Sequence, residues 1–140
     1  MATGVARRSA FAVGLLLSAL TPPAMAAGSW VADSVAPTIR QQGMRYSSER
    51  LSPRAGTRLS GQAIARVSWH YGLSRWTPEL AVILCGGGRC TIIDGERGGS
   101  RAFAGLPPTT TFRFHFRVVG QPMAIAPLYG RPLQLVVNFE

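Results

Sequence analysis

From Leu59 to the C-terminus, apolar and polar residues alternate with a period of two. The clearest run is Thr111 to Val118 (TFRFHFRV). Phe112, Phe114, Phe116 and Val118 project to one side, and Arg113, His115 and Arg117 to the other. That pattern predicts a half-buried strand of tightly specified register, because a slip of one residue would turn three phenylalanines into water. Ala63 to Tyr71 repeats it, with Ala65, Val67, Trp69 and Tyr71 on the buried side and Arg66, Ser68 and His70 opposite. Leu133 to Phe139 does so again through Leu133, Leu135, Val137 and Phe139. Leu80 to Cys85 and Cys90 to Asp94 are short apolar runs, read as two further strands.

Turn residues separate these runs at Tyr71-Gly72, Thr77-Pro78, Gly86-Gly87-Gly88, Asp94-Gly95, Gly98-Gly99, Pro107-Pro108, Val119-Gly120 and Gly130-Arg131-Pro132. Many short strands with no ten-residue helical period predict an all-β fold, a small antiparallel β-sandwich, with a barrel as the alternative. Residues 27–58 are more polar and read as an N-terminal extended arm with one or two short strands. The sandwich core is assigned to 59–140.

The N-terminus changes the setting. Arg7-Arg8 precede an apolar run from Ser9 to Leu20, broken by Thr21-Pro22-Pro23 and followed by Ala24-Met25-Ala26. This is the form of a signal peptide, residues 1–26, cleaved after Ala26; the apolar run is too short to span a bilayer. No later apolar run reaches membrane-spanning length, so no stable membrane insertion is expected. An extracytoplasmic domain of 114 residues follows, long enough for one core. All fifteen basic residues are arginine. Thirteen remain after cleavage against six carboxylates, a net charge of +7. The arginines are dispersed and carry no nucleic-acid motif, so nucleic acid is not an expected partner.

The stretch ILCGGGRCTII holds both cysteines. With Gly86 to Arg89 as a four-residue hairpin turn, Cys85 faces Cys90 across the strands, at a spacing a disulfide accepts. The oxidising compartment favours that bond. Zinc would need His70 and His115 beside the two sulfurs, and these lack finger-like spacing. A thiol-redox site would need two intervening residues and a following helix. No metal or cofactor is implied, since Gly86-Gly87-Gly88 also lacks the helix of a phosphate loop.

No catalytic set is found, because the carboxylates are scattered and no nucleophile elbow is present. The row Arg113, His115, Arg117 reads either as an ordinary solvated outer face or as the candidate partner-binding surface; in the second reading a cationic strip suits an acidic partner, and His115 makes it pH-sensitive. A carbohydrate- or peptidoglycan-binding module is the alternative, and it requires an exposed platform drawn from Trp30, Trp69, Trp76 and Tyr129.

A collinear set of residues resembles the flagellar FlhE family. It comprises Val67-Ser68-Trp69-His70-Tyr71, Thr77-Pro78-Glu79-Leu80, Leu84-Cys85 with Cys90, Asp94-Gly95, Ala102-Phe103-Ala104, Pro107-Pro108, Phe112-Arg113-Phe114 and Leu135-Val136-Val137-Asn138-Phe139. The arm matches more loosely, through Trp30 and Leu51-Ser52-Pro53-Arg54. The resemblance implies a periplasmic β-sandwich that is not an enzyme. It implies an accessory or chaperone-like role with a flagellar rod or export-apparatus protein as partner, limiting premature subunit assembly or proton leak through the type III export apparatus. It carries over no catalytic residue, and the Cys85–Cys90 pair as a disulfide.

Overall fold

The computed structural model describes residues 27–59 and 62–140, together with Gly4. The expected signal peptide, residues 1–26, lies outside the described residues apart from Gly4. Among the described residues there are ten strands and no helix. They are β1 (Gly28–Val35), β2 (Ile39–Gln42), β3 (Arg45–Ser47), β4 (Ile64–His70), β5 (Leu80–Gly86), β6 (Arg89–Ile93), β7 (Arg97–Ser100), β8 (Phe112–Val118), β9 (Met123–Leu128) and β10 (Pro132–Phe139).

Two four-stranded sheets form the sandwich, in the orders β1-β10-β4-β7 and β3-β8-β5-β6, with β2-β9 as a separate pair. Every strand pairing is antiparallel. Alternation explains the layers. Phe112, Phe114 and Phe116 from β8 are fully buried, as are Leu135 and Val137 from β10. All belong to one apolar core, bridged between sheets by the Trp30–Phe112 ring pair at 6.3 Å and the edge-to-face Tyr71–Phe116 pair at 5.3 Å. Each ring buried this way removes a large apolar area from water, and the ring pairs add a geometric preference.

The polar stretch 27–58 supplies more strand than its composition suggests. It forms β1, β2 and β3, and its anchors Trp30, Ile39 and Leu51 join the common core. The reason is non-local: β1 pairs with β10 over its full length, from Gly28 opposite Phe139 to Val35 opposite Pro132. The alternation of β4 also breaks once. Asn138 faces Arg66 but Phe139 faces Ile64, so Ala65 is an extra residue, a β-bulge. Ile64 rather than Ala65 is therefore buried.

The cysteine hairpin is tighter than a four-residue turn. β5 runs on through Gly86, and β6 starts at Arg89, leaving Gly87 and Gly88 as a two-residue turn with φ of 58° and 77°. Positive φ at both centres is the type I′ geometry, which matches strand twist and which glycine adopts without strain. Cys85 and Cys90 are opposed and joined by a disulfide, with Cα atoms 4.1 Å apart. Replacing both cysteines by serine should lower stability by about 2 kcal/mol, the loop-closure entropy of so small a ring. Denaturant unfolding of both forms measures it; equal stabilities would show that the turn alone closes the hairpin.

A cationic sheet face as the candidate functional site

The outer face of the β3-β8-β5-β6 sheet can be read row by row from its register. Arg45, Arg117 and Ala81 make the first row. Ser47, His115, Ile83 and Ile92 make the second. Arg113, Cys85 and Cys90 make the third. The three residues of the predicted strip therefore lie together along β8, at the centre of this face. Arg45 was not legible as a member, because a three-residue strand within a polar stretch has no period to read.

Arg45 and Arg117 are directly opposed across β3 and β8. Like charges in that relation destabilise a sheet, and an acidic group placed beside them would relieve that. No carboxylate occupies any of the three rows. Glu49 and Arg50 follow Ser48 past the end of β3, where the chain rejoins β8 through Leu51. Arg113 is half-buried, and its Nε is buried without a hydrogen-bond partner. A buried donor left unpaired costs free energy.

His115 sits between these arginines. Its Nδ1 lies 2.7 Å from Ser47 Oγ, within hydrogen-bond distance. Burial holds its pKa below the usual value of 6.5, and the Arg45 and Arg113 charges push it further down. Folding therefore favours the neutral ring. The stability from this source is complete above pH 6.5 and is lost as pH falls through 6.5 toward the lowered folded value. Melting temperature should thus decline on acidification below that pH more steeply in the wild type than in His115→Gln. Parallel melting profiles would contradict it.

Ile83 is half-buried and Ile92 is 79 % exposed. The face is thus striped, with cations along β3 and β8 and aliphatic side chains along β5 and β6. A shallow cavity of about 130 Å³ lies at the boundary, lined by Arg45, Ala81, Ile83, His115, Phe116 and Arg117. It is smaller than the roughly 300 Å³ at which small-molecule pockets begin, and suits a single side chain.

The remaining candidates are dispersed. His70 is on the outer face of the β1-β10-β4-β7 sheet, on the opposite side of the sandwich from His115, and the two sulfurs are bonded to each other. The histidines and cysteines therefore do not converge. Trp30 and Trp69 are core residues; the Trp30 indole donates to Pro108 O at 2.7 Å. Trp76 and Tyr129 are exposed, on adjoining loops joined by Ser74 N to Tyr129 O at 2.8 Å and Tyr129 N to Ser74 Oγ at 2.9 Å. Trp76 rims a cavity of about 210 Å³ that includes Tyr71, Asp94 and Glu96. Burial raises the Tyr71 pKa, and the charges of Glu96 and Asp94 add to that. In the same loop the Thr77 hydroxyl donates to the Glu79 carboxylate, and this bond, with the Glu79 backbone N–H, keeps that acid below its ordinary value.

Comparison with known proteins agrees over nearly the whole described fold. A family model for flagellar protein FlhE matches residues 36–140. The Salmonella typhimurium flagellar protein FlhE is 35 % identical over 129 residues, covering 91 % of this chain and 97 % of the relative. The Escherichia coli K12 protein of that name is 33 % identical, with the same coverage. A crystal structure of FlhE superposes with a TM-score of 0.74 at 33 % identity, covering 81 % of this chain and 97 % of the other.

Proposed function

This chain belongs to the FlhE family of flagellar proteins, and we propose that it serves flagellar assembly as a periplasmic, non-enzymatic accessory protein. In this reading it binds a rod or export-apparatus protein in a chaperone-like manner. Holding that partner limits premature subunit assembly in the periplasm or proton leak through the type III export apparatus. Arg113, His115 and Arg117 are the docking strip. The observation that carries the reading is the carboxylate-free cationic face, with Arg45 directly opposite Arg117. Such a face speeds encounter with an acidic surface and rejects a basic one. The test is deletion of the chain's gene in a motile host. Altered flagellar number, filaments trapped in the periplasm, or a fall in cytoplasmic pH during export is expected. Wild-type behaviour in all three assays overturns it.

One observation favours a second reading, a peptidoglycan-binding module: the exposed Trp76 stands beside Asp94 and Glu96 at a cavity mouth. An indole can stack on a sugar ring while carboxylates accept its hydroxyls. Cosedimentation with purified peptidoglycan, abolished by Trp76→Ala, would favour it over the docking strip.

A further inference from the structure

We propose that the outer face of the β3-β8-β5-β6 sheet takes an acidic, aliphatic-rich segment of a protein partner. Its carboxylates pair with Arg45, Arg113 and Arg117, and its aliphatic side chains lie over Ile83 and Ile92. The inference rests on the docking reading above and adds to it the chemistry of the partner and the further residues that meet it.

Three observations converge. The first is the stripe arrangement. Neighbouring strands are about 4.8 Å apart, so the charged β8 row and the aliphatic β5 row are close enough for one peptide segment to touch both. An alternating acidic and aliphatic sequence presents its two side-chain types at a matching scale. The second is unspent bonding capacity. Among the described residues no carboxylate pairs with Arg45, Arg113 or Arg117, and guanidinium groups favour carboxylates in forked geometry. The third is contrast with the other sheet. On its outer face Asp33 accepts from Gln134 Nε2 at 2.9 Å beside Val31 and Val35, and Arg66 and His70 share the face with Gln134, Val136 and Asn138. Charge there is mixed, whereas the β3-β8-β5-β6 rows hold one sign only.

A lipid surface fits less well. Membrane-docking faces carry their tryptophan and tyrosine at the contact. Here Trp76 and Tyr129 sit on loops and do not line the strip's cavity, which accepts a single side chain.

Docking also has a proton signature. His115 faces Arg45 and Ser47 from β3, Arg113 and Arg117 along β8, and Ile83 from β5. Carboxylates arriving among those cations favour the charged ring, so binding takes up a proton and tightens as pH falls.

The test uses residues 27–140, disulfide intact, and a fluorescent peptide alternating glutamate and valine. Controls are a lysine–valine peptide and vesicles of phosphatidylglycerol. The acidic peptide should bind, the lysine peptide should not, and affinity should rise from about pH 7.5 to about pH 6 except in His115→Gln. Arg45→Glu is the decisive variant. It replaces a like-charge pair by an ion pair with Arg117, so its melting temperature should rise while its peptide affinity drops about tenfold or more. Ile92→Asp should weaken binding without unfolding the chain. Equal binding of both peptides, preference for the vesicles, or undiminished affinity in folded Arg45→Glu overturns the inference. The flagellar reading is judged separately, by whether the wild-type chain restores the deletion strain.

Discussion

Gly130→Ala should shift the urea unfolding midpoint far below that of the wild type. A Cβ on Gly130 would stand 1.5 Å from Ala36 O and 2.5 Å from Ala36 C. Both are backbone atoms, so no rotamer change relieves the clash. The site is a crossing of two turns. Ala36 N donates to Arg131 O at 2.9 Å, and Gly130 bridges to Leu73. The β1–β2 connection thus lies directly on the β9–β10 connection. Moving either one separates β1 from β10 or β2 from β9. The expected loss is about 3 kcal/mol or more, at the upper end for overpacking because backbone must move. Against the usual 5–15 kcal/mol for a domain, such a loss is a large fraction of the total. Urea unfolding of wild type and variant measures it, and a loss under about 0.5 kcal/mol would show that the two turns are not in contact.

Phe112→Ala should cost about 3–5 kcal/mol, the range for deleting a buried phenylalanine. Phe112 is fully buried, packs edge-to-face on Phe103 at 5.0 Å and tilts against Trp30 at 6.3 Å. Its backbone exchanges hydrogen bonds with Leu51 at 2.8 and 2.9 Å, so the side chain cannot move inward to fill a void. The ring also lies over Gly86, where an added Cβ would come within 2.4 Å of Phe112 Cδ1. Gly86→Ala should therefore cost about 1–3 kcal/mol in the wild type and much less when Phe112 is already alanine. A four-member double-mutant cycle reads that coupling. Additive losses would show that Gly86 is retained for the turn and not for the ring.

These two sites show what was legible in the sequence. The faces of β8 and β10 followed directly from period-two alternation, because burial on one side alone imposes it. The Cys85–Cys90 pairing followed too, since opposed residues at a hairpin end are a local matter. Glycine runs in the sequence signal turns, which is half the reason for them here. Gly87 and Gly88 do form the turn, but Gly86 and Gly98 are strand residues that make room for Phe112 and Trp69. A strand such as β7, with sequence Arg97-Gly98-Gly99-Ser100, has no propensity signal because its packing partners come from β4. Likewise β9 carries Pro127 and no sustained alternation, and its pairing with β2 spans more than eighty residues of chain. The candidate site was legible along one strand, as Arg113, His115 and Arg117. It was illegible across strands, where Arg45, Ile83 and Ile92 join through register alone.

The central claim is that this FlhE-family chain holds a flagellar partner by the cationic sheet face. Site-specific photo-crosslinking in live, motile cells tests it most directly. One photoreactive residue is placed at Ile92, on the striped face, and in a separate strain at Val136, on the outer face of the other sheet. Irradiation should trap a rod or export-apparatus protein from position 92 but not from position 136, with the crosslinked peptide rich in aspartate or glutamate. A flagellar protein trapped from position 136 alone would contradict the assigned face, and none trapped from either would contradict the docking function itself.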